Sequence, residues 1–216
     1  MTSTVTMYDA THANVAHIPA GAQKVAGYIT GTPDVQWTAE DWARFPKAGH
    51  VQIDQGYGAA ATSHNDVHVL KVIDSEPGAF SAATAAQLVL ERVRAGIKYT
   101  TIYCDRNDAP KMIPALKAAD PASHRWYIGH VRLWLAAPGL TEAEATAIIG
   151  TEYHGILCRA VQYAQGGGGV YDISVTDAGW YPPPAPPQPE LEGILVQLPG
   201  GGSRKVLSHD GGHTWQ

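Results

Sequence analysis

Short apolar runs of strand length recur along the chain, and segments with apolar residues at helical spacing lie between several of them. That alternation is expected of strand and helix units wound around a parallel sheet. The predicted strands end near Asp9, Thr30, Asp54, Glu76, Asp105, Ala137, Gln165 and Val175. Eight strands suit a closed barrel better than an open sheet, so the expected fold is α/β, a (β/α)8 TIM-like barrel. Three intervening segments carry helix end signals. Thr38 and Asp41 have capping-box spacing, with Trp42 and Phe45 on the apolar side and Gly49 beyond the end. Ser81 can cap a helix striped by Ala85, Leu88, Val89 and Val93, which Gly96 stops. Thr141 and Glu144 form another capping box ahead of Ile148, Ile149 and Gly150.

The pattern breaks after Trp180. Tyr181-Pro-Pro-Pro-Ala-Pro-Pro-Gln-Pro189 can hold neither helix nor sheet and reads as a stiff polyproline spacer. Beyond it, Gly193-Ile-Leu-Val-Gln-Leu198 and Lys205-Val-Leu207 flank Gly200-Gly-Gly202 as two short strands about a turn. The expected organisation is a barrel over residues 1–181, a linker over 182–190 and a β-hairpin appendage over 191–216. Ser208-His-Asp-Gly-Gly-His-Thr-Trp215 matches the Asp-box pattern, a turn-forming device; a single copy cannot build a propeller.

Composition narrows the function. The chain has 216 residues, 44% of them hydrophobic, enough for a sizeable core. Only 16% are charged and the net charge is -5, so there is no basic face for a phosphate backbone and nucleic acid is not an expected partner. No run approaches the ~20 apolar residues of a membrane span, and the first residues lack the basic and apolar regions of a secretory signal. A protein made in the cytoplasm without a membrane partner is the expectation. Cys104 and Cys158 lack metal spacing and read as small core residues, and the ten histidines show no metal motif. Gly166-Gly-Gly-Gly169 precedes a strand, not a helix, so it reads as a barrel loop and not as a phosphate cradle.

Candidate chemistry lies at the strand ends. In Val67-His-Val-Leu-Lys-Val-Ile-Asp-Ser-Glu76, alternation puts Leu70, Val72, Asp74 and Glu76 on one face, and Pro77-Gly78 ends the strand. Two carboxyls so placed repel each other, which raises one pKa and leaves the other group ionised. Glycoside cleavage needs that division, a protonated acid for the leaving oxygen and an anion facing the developing positive charge. The same alternation places Asp9 on the face of Val5 and Met7, Asp54 on that of Gln52, and Asp172 on that of Val170 and Ser174. Four strands are thus expected to bring acids to one end of the barrel.

With these motifs in view, the sequence resembles glycoside hydrolase family 25, the Chalaropsis-type lysozymes, and the related glycoside-hydrolase-like domains of actinobacteria and their phages. The likeness runs over residues 5 to 181 through Met7-Tyr-Asp9, Val72-Ile-Asp-Ser-Glu76, Thr101-Ile-Tyr-Cys104, Arg132-Leu-Trp-Leu-Ala136, Val161-Gln-Tyr163 and Val170-Tyr-Asp172. It implies a muramidase-like activity on peptidoglycan, needing neither metal nor organic cofactor. By the same resemblance Glu76 would be the general acid, and Asp74 would orient the acetamido group or stabilise the charged intermediate. Asp9 and Asp172 would tune them, and Tyr103, Trp134 and Tyr163 would line the sugar cleft; Asp54, from its place on the expected polar rim, and Gln162 are further candidate substrate contacts.

The alternative is a non-catalytic glycoside-hydrolase-like module of a virion, binding glycan or serving as a structural part. Val161 stands where the family often has Trp, and residues 182–216 would then attach the barrel to other virion proteins. In either case the expected place of action is the bacterial cell wall or a phage particle.

Overall fold

The computed structural model describes residues 3–56, 71–97, 99–123, 126, 127, 129–181, 193–197 and 203–207, with Lys71 and the last two segments described by their backbone. The predicted strand ending at Glu76 is described only from Lys71. His64, His68, the proline spacer, the Gly200–Gly202 turn and the Asp-box lie outside these residues.

Eight strands close on themselves. In chain order they are β1 (Thr4–Ala10), β2 (Lys24–Tyr28), β3 (Gly49–Asp54), β4 (Lys71–Asp74), β5 (Thr100–Asp105), β6 (Val131–Ala136), β8 (Ile156–Gly166) and β9 (Tyr171–Asp177). The two-residue β7 (Glu152–Tyr153) pairs with the start of β8 outside the ring. Neighbours from β1 to β6 are parallel, and β8 is parallel to β6. The last strand, β9, runs antiparallel to both β8 and β1.

This is a mixed β-barrel with few helices, not the expected (β/α)8 TIM barrel. The cause lies between β8 and β9. Only Gly167–Val170 connects them, whereas a parallel crossover needs a dozen residues or more. Gly167, Gly168 and Gly169 have φ of 59°, 77° and 94°, the left-handed region that favours glycine, and the chain reverses at once into a hairpin. The barrel therefore closes through a reversed strand with no helix before it.

The helices are α1 (Ala39–Ala43), α2 (Ala82–Arg94), α3 (Ala109–Ala119) and α4 (Glu142–Ile148), with a 3₁₀ segment at His12–His17. Their starts follow from local chemistry. Thr38 and Asp41 exchange the reciprocal bonds of a capping box, Thr141 and Glu144 do the same, and the Ser81 hydroxyl accepts the Thr84 N–H. Gly96, at φ 81°, ends the α2 segment as expected. The sequence reading named no helix over α3, whose span holds Pro110 and Pro114. Pro110, however, lies in the first turn, where an N–H has no partner in the helix to lose. Ala109, Met112 and Leu116 give α3 its buried stripe.

Alternation divides each strand between two cores. Met7, Ala26, Val51, Ile53, Val72, Tyr103, Trp134 and Ala160 fill the barrel interior. Trp134, fully buried, fits there because Ala26, Ala136 and Ala160 leave room; its ring lies 4.7 Å from Tyr103 and 6.1 Å from Trp180. Outside the ring, Ile73, Cys104, Leu133, Cys158 and Val161 pack under α2, α3 and α4. Val25, Trp37 and Phe45 form a separate outer cluster beneath α1 and the 3₁₀ segment. Both cysteines are buried and free, as their reading as core residues anticipated.

Residues Met1–Pro183 form one compact unit and Pro184–Gln216 a second. In the second, β10 (Gly193–Gln197) and β11 (Ser203–Leu207) make an antiparallel pair in which Gly193 faces Leu207 and Gln197 faces Ser203.

Candidate functional site

The C-terminal ends of the parallel strands form one mouth of the barrel. Asp9 reaches it from β1 and Asp74 from β4, each continuing an interior column, below which lie Met7 and Val72 respectively. Glu76 follows Asp74 by two residues and is half-buried. Asp172 arrives differently. It stands second in the reversed strand β9, so it meets the same mouth at the strand's start, directly opposite Asp9 in the ladder and opposite Gln165 of β8.

Burial and mutual repulsion govern the four acids. Asp9 is 2% exposed, and its carboxyl is held well above the ordinary range by burial first, then by the charges of Asp172, Glu76 and Asp74. Asp9 Oδ2 and Asp172 Oδ1 are both buried without a hydrogen-bond partner among the described residues. Asp74 is pushed up to about 6 by burial, although the Gln55 side chain and the Glu76 N–H, 3.2 Å from its Oδ1, donate to it. Glu76 is pushed up to about 7, chiefly by burial and then by Asp74, Asp105, Asp172 and Asp108. Among the described residues no basic side chain lies within ion-pair distance of Glu76. A cavity of about 400 Å³ opens beside it, bounded by Phe80, Asp108 and Lys111.

Polar side chains from neighbouring strands hold these carboxyls. The Tyr103 hydroxyl donates to Gln162 Oε1 at 2.5 Å, and the Gln162 amide bonds in turn to Asp172, which also accepts from Gln165. Tyr28, inward-facing at the end of β2, senses Asp9, Asp74, Asp172 and Glu76. Burial and those charges raise its phenol, so it stays an O–H donor. Tyr103 is kept neutral in the same way, by burial and then by Asp9 and Glu76.

Six residues singled out from the sequence meet at the mouth: Asp9, Asp74, Glu76, Tyr103, Gln162 and Asp172. Three do not face a sugar cleft. Asp54 has the opposite parity to Val51 and Ile53, so it points away from the interior; it accepts the Thr30 hydroxyl at 3.0 Å and the Gly56 N–H at 3.0 Å. Its role is to fix the end of β3, since Thr30 Oγ1 also accepts the Gln55 N–H and Gln55 reaches Asp74. Trp134 is sealed inside the barrel with its indole N–H on Ser174 Oγ. Tyr163 packs on the outer core. Sequence reasoning missed Tyr28, Gln55 and Gln165. Parity within Lys24-Val-Ala-Gly-Tyr28 would have found Tyr28, because Ala26 is interior and Tyr28 shares its face.

Among the described residues no group of three or more His, Cys, Asp or Glu is arranged to hold a metal ion. No family model matches the chain, and no curated protein or solved structure is significantly similar to it. Among the described residues no helix is long and apolar enough to cross a membrane.

Proposed function

We propose that the barrel is a glycoside hydrolase directed at cell-wall glycan, with a muramidase-like cleavage of peptidoglycan. The observation that carries this reading is the Asp74 and Glu76 pair, two residues apart at one strand end, with carboxyls poised near 6 and 7 and, among the described residues, no basic group in ion-pair contact with either. At neutral pH a substantial share of Glu76 keeps its proton while Asp74 is largely ionised, the pairing that acid-assisted cleavage of a glycosidic bond requires.

In this mechanism Glu76 gives its proton to the glycosidic oxygen as the bond to the anomeric carbon breaks. Asp74 faces the positive charge that develops on the ring, and water supplies the hydroxyl of the new reducing end while its other proton returns to the Glu76 carboxylate. Asp9 and Asp172 hold a proton between them and keep the mouth from accumulating four negative charges. The Tyr103, Gln162 and Asp172 chain fixes one wall, and Tyr28 offers its hydroxyl from another. The choice of peptidoglycan, and delivery by phage lysis or within a virion, rest on the resemblance of the strand motifs to family 25.

A second reading is a non-catalytic glycan-binding or structural module of a virion. It is favoured by the loss of Trp134 and Tyr163 as sugar-stacking surfaces, one sealed in the interior and the other on the outer face. Reducing-end release from purified peptidoglycan, wild type against Glu76→Gln, separates the two. Release by the wild type that disappears in a folded Glu76→Gln protein supports the hydrolase; binding without any release supports the module.

A further inference from the structure

The barrel has a second opening at the end opposite the acids, where β9 finishes and β5, β6 and β8 begin. A cavity of about 350 Å³ lies there within the first unit, among Tyr99, Arg132, Arg159, Asp177, Trp180 and Tyr181. Its volume falls in the range of small-molecule sites.

The charges around it do not balance. Arg159 forms an ion pair with Asp177, whose Oδ1 also accepts the Gly179 N–H at 2.8 Å. Arg132 lies 4.4 Å above the Tyr99 ring and donates to the Val131 carbonyl. Its guanidinium is made more acidic by burial and then by the charge of Arg159, so the two cations stand close enough to repel. A third cation, Lys24, reaches up from the barrel interior to the carbonyls of Asp177 and Trp180 and lies 5.5 Å from the Trp180 ring centre. Burial lowers it to about 8. Among the described residues these three cations have Asp177 as their shared carboxylate, which leaves two positive charges in a partly desolvated recess.

An oxyanion entering between the guanidiniums would offset that surplus, because the planar forks of arginine match phosphate oxygens in pairs. The remaining walls are aromatic. Trp180 and Tyr181 have ring centres 4.7 Å apart, and Tyr99, 40% exposed, forms the lip. Rings of this kind accept the face of a planar ligand.

We propose that this cavity binds a small phosphate ester carrying a planar ring, its oxyanion held by Arg132 and Arg159 and its ring against Trp180 and Tyr181. The site is independent of the acidic mouth. Calorimetry on the full chain with AMP, adenosine and inorganic phosphate as probes tests it. Saturable AMP binding is expected, with adenosine and inorganic phosphate each weaker by about 10-fold or more, since each lacks half of the recognition. Arg132→Gln should weaken AMP by about 10–100-fold and leave adenosine unchanged, the loss expected for one charged hydrogen-bonding group. Tyr99→Ala, which removes the ring beneath Arg132, should weaken AMP more than adenosine, and Glu76→Gln should leave AMP binding intact. AMP bound no more tightly than inorganic phosphate, AMP binding insensitive to Arg132→Gln, or no saturation up to about 10 mM would overturn the proposal.

Discussion

Asp9 and Asp172 stand directly opposite each other in the antiparallel ladder between β1 and β9, two carboxyls on one face, each with one buried oxygen lacking a hydrogen-bond partner among the described residues. Like charges at such a pair are destabilising, so burial and the charge of Asp172 hold the Asp9 carboxyl well above its ordinary range. All four acids of the mouth have raised pKa values, and the folded protein therefore binds protons that the unfolded chain would release. The sign follows from linkage: the contribution of these acids to stability is full below the unfolded carboxylate range near ~4 and is lost as pH rises through about 6 and about 7, the folded values of Asp74 and Glu76. Asp74→Asn should accordingly raise stability at pH 8 by about 2–3 kcal/mol and do nothing below pH ~4, read as urea midpoints at the two pH values. Equal effects at both pH values would contradict this account.

Activity should follow a narrow bell in pH. Ionisation of Asp74 sets the acidic limb and loss of the Glu76 proton sets the alkaline limb, so the maximum in kcat/KM on peptidoglycan should fall between about 6 and about 7. The two limbs belong to the coupled pair and not to separate residues. Glu76→Gln should remove the alkaline limb along with nearly all turnover, and a steady rate up to pH 9 in the wild type would rule out Glu76 as the acid.

Removing one hydroxyl tests the wall that holds Asp172. Tyr103→Phe deletes the 2.5 Å bond to Gln162 while keeping the ring against Trp134. The cost should be about 1–3 kcal/mol in stability, with kcat reduced about 10-fold and KM nearly unchanged, because the effect passes through the position of an acid. Tyr28→Phe, which leaves that chain alone, should lower activity with little change in melting temperature.

Asp54 should behave as a positioning residue. Asp54→Ala frees Thr30 and the Gly56 N–H and with them the segment that presents Gln55 to Asp74. The acidic limb of the pH profile should then move upward, since Asp74 loses a donor to its ionised form. Asp54→Asn, which retains an acceptor oxygen, should restore much of the lost activity. An unchanged acidic limb in the alanine variant would leave Asp54 with a purely structural role.

Trp134→Ala addresses the interior. Its ring fills the space left by three alanines, so truncation should cost about 3–5 kcal/mol with a cavity left in the middle of the barrel, measured by chemical denaturation.

Much of this arrangement was legible in the residues. Strand alternation correctly set Asp9 and Asp74 on interior columns, and the capping boxes at Thr38 and Thr141 marked true helix starts. Asp54 was assigned to the wrong face because Gln52 suggested a polar interior, whereas Val51 and Ile53 fill it and parity then turns Asp54 outward. Trp134 and Tyr163 could not be placed by residue type, because an aromatic ring serves a core or a cleft equally well and only the ring's closure decides. The overall topology was misread for lack of a length test: four residues after Gly166 cannot carry a crossover, and counting them would have revealed the hairpin. Asp172 was expected at the mouth as part of a parallel strand, and it is there because the strand runs the other way.

The glycine hairpin gives the mouth two kinds of wall. Where parallel strands end, connecting segments can lengthen or change composition without disturbing the strands below, as loops on a fixed scaffold generally allow. On the side of β8 and β9 the turn is only four residues long and three of them are left-handed, so an insertion there would slide Asp172 out of register with Asp9. Ligand preference can thus diversify on one flank of the opening, while the other is tied to the pairing of the two aspartates across the ladder.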